Sequence, residues 1–485
     1  MNSPRIAATL AAAWIAAAAG GLATAAMPQP VARAFRDAGV PTGAVAVVVQ
    51  EVRQPSRLIA HNADRPMSPA SVMKLVTTFA ALELLGPEYR WKTDAYVTGP
   101  LDNGVLHGDL VLKGRGDPKI TIEQWQAFMQ GLRVAGLTAI DGDLVLDRSF
   151  FAPAAHDPGA FDGEPLKPYN VGPDALLVNF KSVKFAFAPN ANSESTELTV
   201  VPALPNVAVG AAPRQGGGDC NDWRAAIGAA FVDRGTSAEV TFGGGYPIAC
   251  GERELWVSLL DHPSYVHAMF SLYFRDAGGR FAGGWKNGAA PKGTVPFATL
   301  ESPPLYDIVR DVNKLSNNVM ARQIFLTLAT VGAAAPATTA RATAAVRRWL
   351  AARKLRMPEL VLDNGSGLSR AERISAGSLE RLLLAADASP VRDEFASSLA
   401  VAAMDGTVER RFQNGSVAGQ ALLKTGTLEG VRAVAGYVID TDGRRYALAA
   451  IVNGPAAAHA QGALDFLVQW IYRNGATWGK TPPHH

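Results

Sequence analysis

The chain is short of histidine, of cysteine and of net charge. Its eight histidines form no ligand cluster, two of them being the terminal His484 and His485, and it contains neither an H-E-x-x-H nor a G-x-S-x-G motif. A metal centre or a histidine-based triad is therefore not expected. Lys and Arg number 46 against 43 Asp and Glu, a formal net charge of +3 with no long basic run, so no nucleic-acid footprint is present. Only Cys220 and Cys250 occur. They are one disulfide in an oxidising compartment or two buried thiols in a reducing one, and the sequence leaves both open. Beyond the N-terminus no stretch approaches 18 uninterrupted apolar residues, which excludes a later helical span.

What is present is ample apolar material, 48% of 485 residues, enough for two or three domains with real cores. Residues 1–26 carry Arg5, an Ala-rich apolar core and the small residues Ala23 to Ala26, the layout of a cleaved secretory signal. A membrane anchor is the alternative, although the apolar core is short for a span. The expectation is a soluble, exported protein.

One stretch concentrates the chemistry: Met67-Ser68-Pro69-Ala70-Ser71-Val72-Met73-Lys74. Ser68 suits an N-cap and Pro69 the first helical position, and apolar residues from Val72 to Leu82 recur at helical spacing until Gly86-Pro87. The pattern predicts a helix over about 69–85. Ser71 and Lys74, three apart, then share one face. A serine hydroxyl is a weak nucleophile until a base takes its proton, and lysine is a base only when neutral. Bringing its pKa from about 10.4 to about 7 costs roughly 4 kcal/mol, which calls for burial and a second cation nearby. The bland alternative is a capped core helix whose Ser71 and Lys74 face water.

Around this stretch the chain changes character several times. Gly43 to Gln50 reads as a buried strand. From about 92 to 181 come short strand patterns (106–112, 142–146) and one helical stretch over 122–135; Gly114 to Lys119 begins like a dinucleotide fingerprint but lacks its third glycine and reads as a turn. Residues 182–262 are polar and turn-rich, with glycine triplets at 216–218 and 243–245. An alanine-rich helical half follows from about 304. Three closing strands (421–427, 432–439, 445–452), with Asp442-Gly443 as a hairpin signal, precede a final helix over 461–472.

Two further motifs stand on these elements. Ser316-Asn317-Asn318 opens an apolar helical run, and Lys424-Thr425-Gly426 lies on the first closing strand. S-x-x-K, S-x-N and K-T-G each occur once, in that order, each on the type of element its chemistry requires. The chain resembles the serine D-alanyl-D-alanine carboxypeptidase/endopeptidase family, the class C low-molecular-mass penicillin-binding proteins. The segments Asp363 to Arg370, Met404 to Thr407 and Lys424 to Leu428 carry the likeness further, and the distance from Ser71 to Ser316 is far greater than a compact β-lactamase uses.

The resemblance implies an α+β fold: a β-lactamase/transpeptidase-like domain, an antiparallel sheet covered by helices, with a large two-part, mainly β insertion. The expected divisions are a signal peptide at 1–26, a catalytic domain from 28–92 plus 290–478, an inserted domain from 93–181 plus 263–289, and a nested β domain at 182–262. It implies a serine-type D-Ala-D-Ala carboxypeptidase and/or endopeptidase acting on peptidoglycan stem peptides, acylated by β-lactam antibiotics and needing no cofactor or metal. Ser71 would be the nucleophile, Lys74 the base and Ser316 the proton relay. Asn318 would bind the substrate amide, and Lys424 would be the second cation, attracting the terminal carboxylate. Thr425, Gly426 and Thr427 would bind substrate, with backbone N–H groups of Ser71 and Thr427 as the oxyanion hole. In this family an acidic residue of the insertion contacts the stem peptide's amine; Asp162 and Glu164 both stand where it should fall. A periplasmic location is expected from the cleaved signal at 1–26, with loose membrane association and a homo-oligomeric state left open. A β-lactamase-like hydrolase and a non-catalytic wall-binding scaffold are the competing readings.

Overall fold

The protein is described by a computed structural model covering residues 26–152, 155–332, 336–413, 415–475 and 477. The expected signal segment lies almost wholly outside the described residues. Among the described residues no helix is long and apolar enough to cross a membrane.

The fold is α+β, and a six-stranded antiparallel sheet organises it. Its order is Arg57–His61, Val45–Glu51, Arg445–Asn453, Val431–Ile439, Ala421–Leu428 and the short Ala400–Val401. Side chains alternate across a strand, so Val45, Val47 and Val49 join one core with Phe35 and Leu467, while Ala46 and Val48 join another with Phe79 and Leu379. The first core is covered by the helices Gln29–Asp37 and Gln461–Asn474. On the second face Ala433, Ala435, Ala447 and Ala449 keep the sheet surface low, which lets the helices beneath it pack closely. The central one is Lys74–Leu85, buried continuously from Lys74 to Leu82. A helix apolar all round belongs in a core.

Between this helix and the helical half the chain makes the insertion. Its larger sheet joins Trp285–Asn287, Leu144–Asp147, Leu110–Lys113, Lys92–Val97 and Ala298–Glu301, with parallel pairs where 144–147 meets its two neighbours. The helices Ile122–Val134 and His262–Asp276 pack alongside. Ala298–Glu301 pairs with Lys92–Val97, so strand pairing carries the insertion's sheet past residue 290. Residues 183–257 form two three-stranded sheets around an aromatic cluster of Phe187, Trp223 and Tyr246, and Cys220 and Cys250 are disulfide-bonded there.

Candidate active site

Ser71 does not sit in a regular helix. Ala70–Met73 is a turn of 3-10 helix that leads into Lys74–Leu85, and Ser68 is not its cap: the Ser68 backbone N–H and C=O instead pair with the Asn453 side chain at 2.8 and 2.9 Å. An amide that can donate and accept replaces the short-range cap, tying the turn to the last sheet strand. Ala70 has φ +47, an uncommon conformation for a residue with a side chain. Two glycines permit it. A Cβ on Gly367 would stand 2.0 Å from the Ala70 carbonyl oxygen, and one on Gly426 would stand 2.5 Å from that of Pro69. The 363–367 loop and the Ala421–Leu428 strand thus clasp the Ser71 turn from two directions.

Lys74 is fully buried, and its Nζ lies 2.9 Å from Ser71 Oγ and 2.6 Å from Asn318 Oδ1; it also donates to the Ser366 carbonyl. Burial, above all, pushes its pKa well below the usual lysine value, and the positive charge of Lys424 acts in the same direction. Lys424, also fully buried, donates to Ser316 Oγ and to the Thr425 carbonyl, each at 2.9 Å, and burial lowers it to about 7. Ser316 ends the helix Leu305–Leu315 in a left-handed conformation (φ 59), and Asn317 caps the next helix, Asn318–Thr327, by accepting from Met320 N–H. This tight helix-to-helix corner is what aims Ser316 and Asn318 inward. The structure brings the five residues together as two hydrogen-bonded sets, Ser71, Lys74 and Asn318 in one and Ser316 and Lys424 in the other, close enough for the charge of Lys424 to act on Lys74.

The substrate-binding candidates are more open. Thr425 Oγ1 lies 2.8 Å from Thr407 Oγ1, and Thr427 is exposed. Ala400–Val401 pairs only with Leu422 and Leu423, so the outer edge of Ala421–Leu428 beyond them is free of strand partners among the described residues. A pocket of about 300 Å³ adjoins Ser316 and Asn318, and Tyr169 and Trp256 of the insertion also line it. Asp162 accepts from the Tyr169 hydroxyl at 2.9 Å and from Asn170 Nδ2 at 2.8 Å, whereas the Glu164 side chain is exposed and paired loosely with Lys167 at 4.0 Å.

Two buried residues were not anticipated. Glu372 accepts backbone N–H bonds from Asp363, Asn364, Gly365 and Gly367, shaping the loop whose Ser366 carbonyl holds Lys74. Arg322 donates to the Val171 carbonyl at 2.8 Å and lies near Glu372 and Asp363 in charge; burial lowers it to about 10. Its signal was legible: a lone charge within the apolar run Val319 to Phe325, one turn after Asn318. Glu372, beyond a Gly- and Ser-rich turn, has no comparable pattern.

Residues 28–473 match the D-Ala-D-Ala carboxypeptidase 3 (S13) family. The chain belongs to that family of peptidases. Relatives in it include a D-alanyl-D-alanine carboxypeptidase of Actinomadura sp. strain R39, 28% identical over 454 residues (87% of this chain, 80% of that one), and the carboxypeptidase DacB of Haemophilus influenzae, 24% identical over 425 residues (84% and 85%). The crystal structure of penicillin-binding protein 4 from Haemophilus influenzae superposes with a TM-score of 0.76 at 23% identity, covering 92% of this chain and 100% of that one; the same protein is known in complex with a β-lactam. The S13 family thus spans nearly all the described residues, insertion included.

Proposed function

We propose that this S13 peptidase hydrolyses the D-Ala-D-Ala bond of peptidoglycan stem peptides through an acyl-enzyme on Ser71, as a carboxypeptidase, an endopeptidase or both, and that β-lactams acylate the same oxygen. The observation that carries this is the contact of a fully buried Lys74 Nζ with Ser71 Oγ at 2.9 Å. Neutral Lys74 takes the hydroxyl proton as Ser71 attacks the carbonyl carbon. The oxyanion is held by the backbone N–H groups of Ser71 and Thr427, where the strand crosses the Ser71 turn. Lys74 hands that proton by way of Ser316, itself bonded to Lys424, to the leaving amine and is neutral again; water then attacks the ester carbonyl, losing a proton to Lys74, which passes it to the departing Ser71 oxygen. The unpaired edge of Ala421–Leu428 receives the extended peptide as an added strand, its terminal carboxylate meeting Lys424, Thr425 and Thr427 and its amide meeting Asn318.

Asp162 is the better candidate for the stem peptide's free amine. Its carboxylate is fixed by Asn170 and by Tyr169, which lines the pocket, while the Glu164 side chain has no such anchorage. The reading also includes export: the segment 1–26 would be cleaved and the mature protein would work in the periplasm.

The test is mass spectrometry of the mature protein with penicillin and then with a pentapeptide ending in D-Ala-D-Ala. A stable adduct on Ser71 together with D-alanine release is the expected result. An adduct without peptide turnover points to a binding protein or a dedicated endopeptidase, and penicillin left unconsumed with no adduct overturns the reading.

A further inference from the structure

The insertion contains a hollow that the peptidase chemistry does not use. The segment 165–175 borders two spaces: Pro168 and Tyr169 line the pocket before Ser316, while Leu166 and Val171 line a separate cavity of about 970 Å³. That volume lies in the range of small-ligand sites. Its apolar walls include Phe151, Leu166, Leu260 and Trp285.

Of the charged groups around it, most are committed to the fold. Arg148 forks onto Asp174, and the His262 ring, lowered to about 4 by burial, is neutral. Lys181 is different. Its ammonium is half-buried at the cavity wall and donates to the Leu260 carbonyl, which leaves most of its three donors without an acceptor among the described residues. Asp233 and Asp261 lie close enough to act on its charge, and both are exposed at the cavity. Each takes backbone N–H bonds, Asp233 from Leu260 and Gly235 and Asp261 from Ser264, and keeps lone pairs to spare.

An acceptor-hungry cation, two carboxylates and an apolar wall in one hollow suit a short peptide bearing both a free carboxylate and an ammonium. We infer that this cavity is a second binding site, for a zwitterionic wall peptide whose terminal carboxylate is held by Lys181 and whose amine is held by Asp233 and Asp261. The identity of that peptide rests on the peptidase reading: cleavage of a D-Ala-D-Ala end leaves a shortened peptide with a new terminal carboxylate, and this product has the required chemistry.

The experiment is calorimetric titration of the full-length mature protein carrying Ser71→Ala with a stem tetrapeptide ending in a free D-alanine carboxylate. Two equivalents are expected to bind. Lys181→Met in that background should weaken one of them at least tenfold and Lys424→Met the other. Leu166→Trp, which fills the cavity and keeps Lys181, should abolish the same equivalent as Lys181→Met, and capping the peptide as its carboxamide should mimic the lysine change. Folding of the Lys181 and Leu166 variants is read independently, with Ser71 intact, by unchanged acylation with penicillin. A stoichiometry and affinity indifferent to both Lys181→Met and Leu166→Trp overturns the inference. A Lys181-dependent equivalent without a Lys424-dependent one sustains the site while the peptidase reading fails.

Discussion

Two buried lysines, one bonded to Ser71 and the other to Ser316, lie close enough for the charge of one to act on the other, and the proposed reaction needs them in opposite protonation states. Lys74 must be neutral to accept the Ser71 proton; Lys424 must be charged to hold a carboxylate. Replacing Lys74 by Ala removes the base from an already formed pocket, so acylation by penicillin should fall by about 10²–10⁴-fold with the circular dichroism spectrum retained. A variant reacting at the wild-type rate would remove Lys74 from the mechanism. The pH dependence follows from the same pair. At low pH Lys74 takes up a proton and the rate is small; it rises as pH passes the depressed Lys74 pKa, and it falls again as Lys424, lowered to about 7 in the empty site, gives up its charge. The acylation profile should be bell-shaped. Lys424→Met deletes a positive neighbour of Lys74, raises the Lys74 pKa and should move the rising limb to higher pH, separately from any loss of amplitude. Stopped-flow acylation across pH reads both effects, and a limb that stays in place would mean that Lys424 does not set the charge of Lys74.

At the scale of elements, the 363–367 loop does for the site what the sheet does for the fold. Glu372 gathers four backbone N–H groups, and a glutamine there would turn an amide toward the Gly367 N–H, setting donor against donor. Glu372→Gln should cost about 2 kcal/mol, visible as a lower urea midpoint. It also removes a negative charge that raises the Lys74 pKa, so the rising limb of acylation should move to lower pH, opposite to Lys424→Met. A common shift in both variants would indicate general loosening instead of charge. This loop also marks where the sequence stopped being legible. The closing strands were readable because their alternation is strong and the Asp442-Gly443 turn is local, and they fall at 421–428, 431–439 and 445–453. The helix over 69–85 was readable from its apolar run, but its first turn is 3-10 and is held by Asn453, nearly four hundred positions away, a contact no local pattern encodes. The three short motifs name Ser71, Lys74, Ser316, Asn318 and Lys424 because each motif is contiguous; Glu372 and Arg322 act through backbone groups brought near only by folding, so Glu372 left no trace and Arg322 only that of a lone charge in an apolar run. The insertion's parallel strand pairs were equally invisible, since nothing within a two- to four-residue strand specifies its neighbour.

For the molecule as a whole, the question is how far the insertion serves the site. Its nested part contributes to the wall: Trp256, on the strand Arg253–Val257, lines the same pocket as Ser316, and that strand follows closely on Cys250. The Cys220–Cys250 bridge closes a loop with a sequence separation of 30, and opening a loop of that length lowers stability by about 3–4 kcal/mol in the chain-entropy account. The six-stranded sheet and the helices next to Ser71 and Ser316 have cores to which residues 183–257 contribute nothing, and they should not feel the loss. Residues 183–257 share one core with 95–146 and 259–274, so with Cys220→Ala and Cys250→Ala combined thermal unfolding should divide, an early step belonging to the insertion and a later one to the catalytic unit. On the proposed reaction penicillin needs only Ser71 and the groups around it and should acylate at the wild-type rate, whereas a stem peptide long enough to reach Trp256 should show a raised KM at unchanged kcat. If both rates hold, the bridge does not position that wall. If both collapse together with a single lowered transition, the insertion and the catalytic unit fold as one body, and the peptide-binding wall is as much a part of the catalytic core as the strand that carries Lys424.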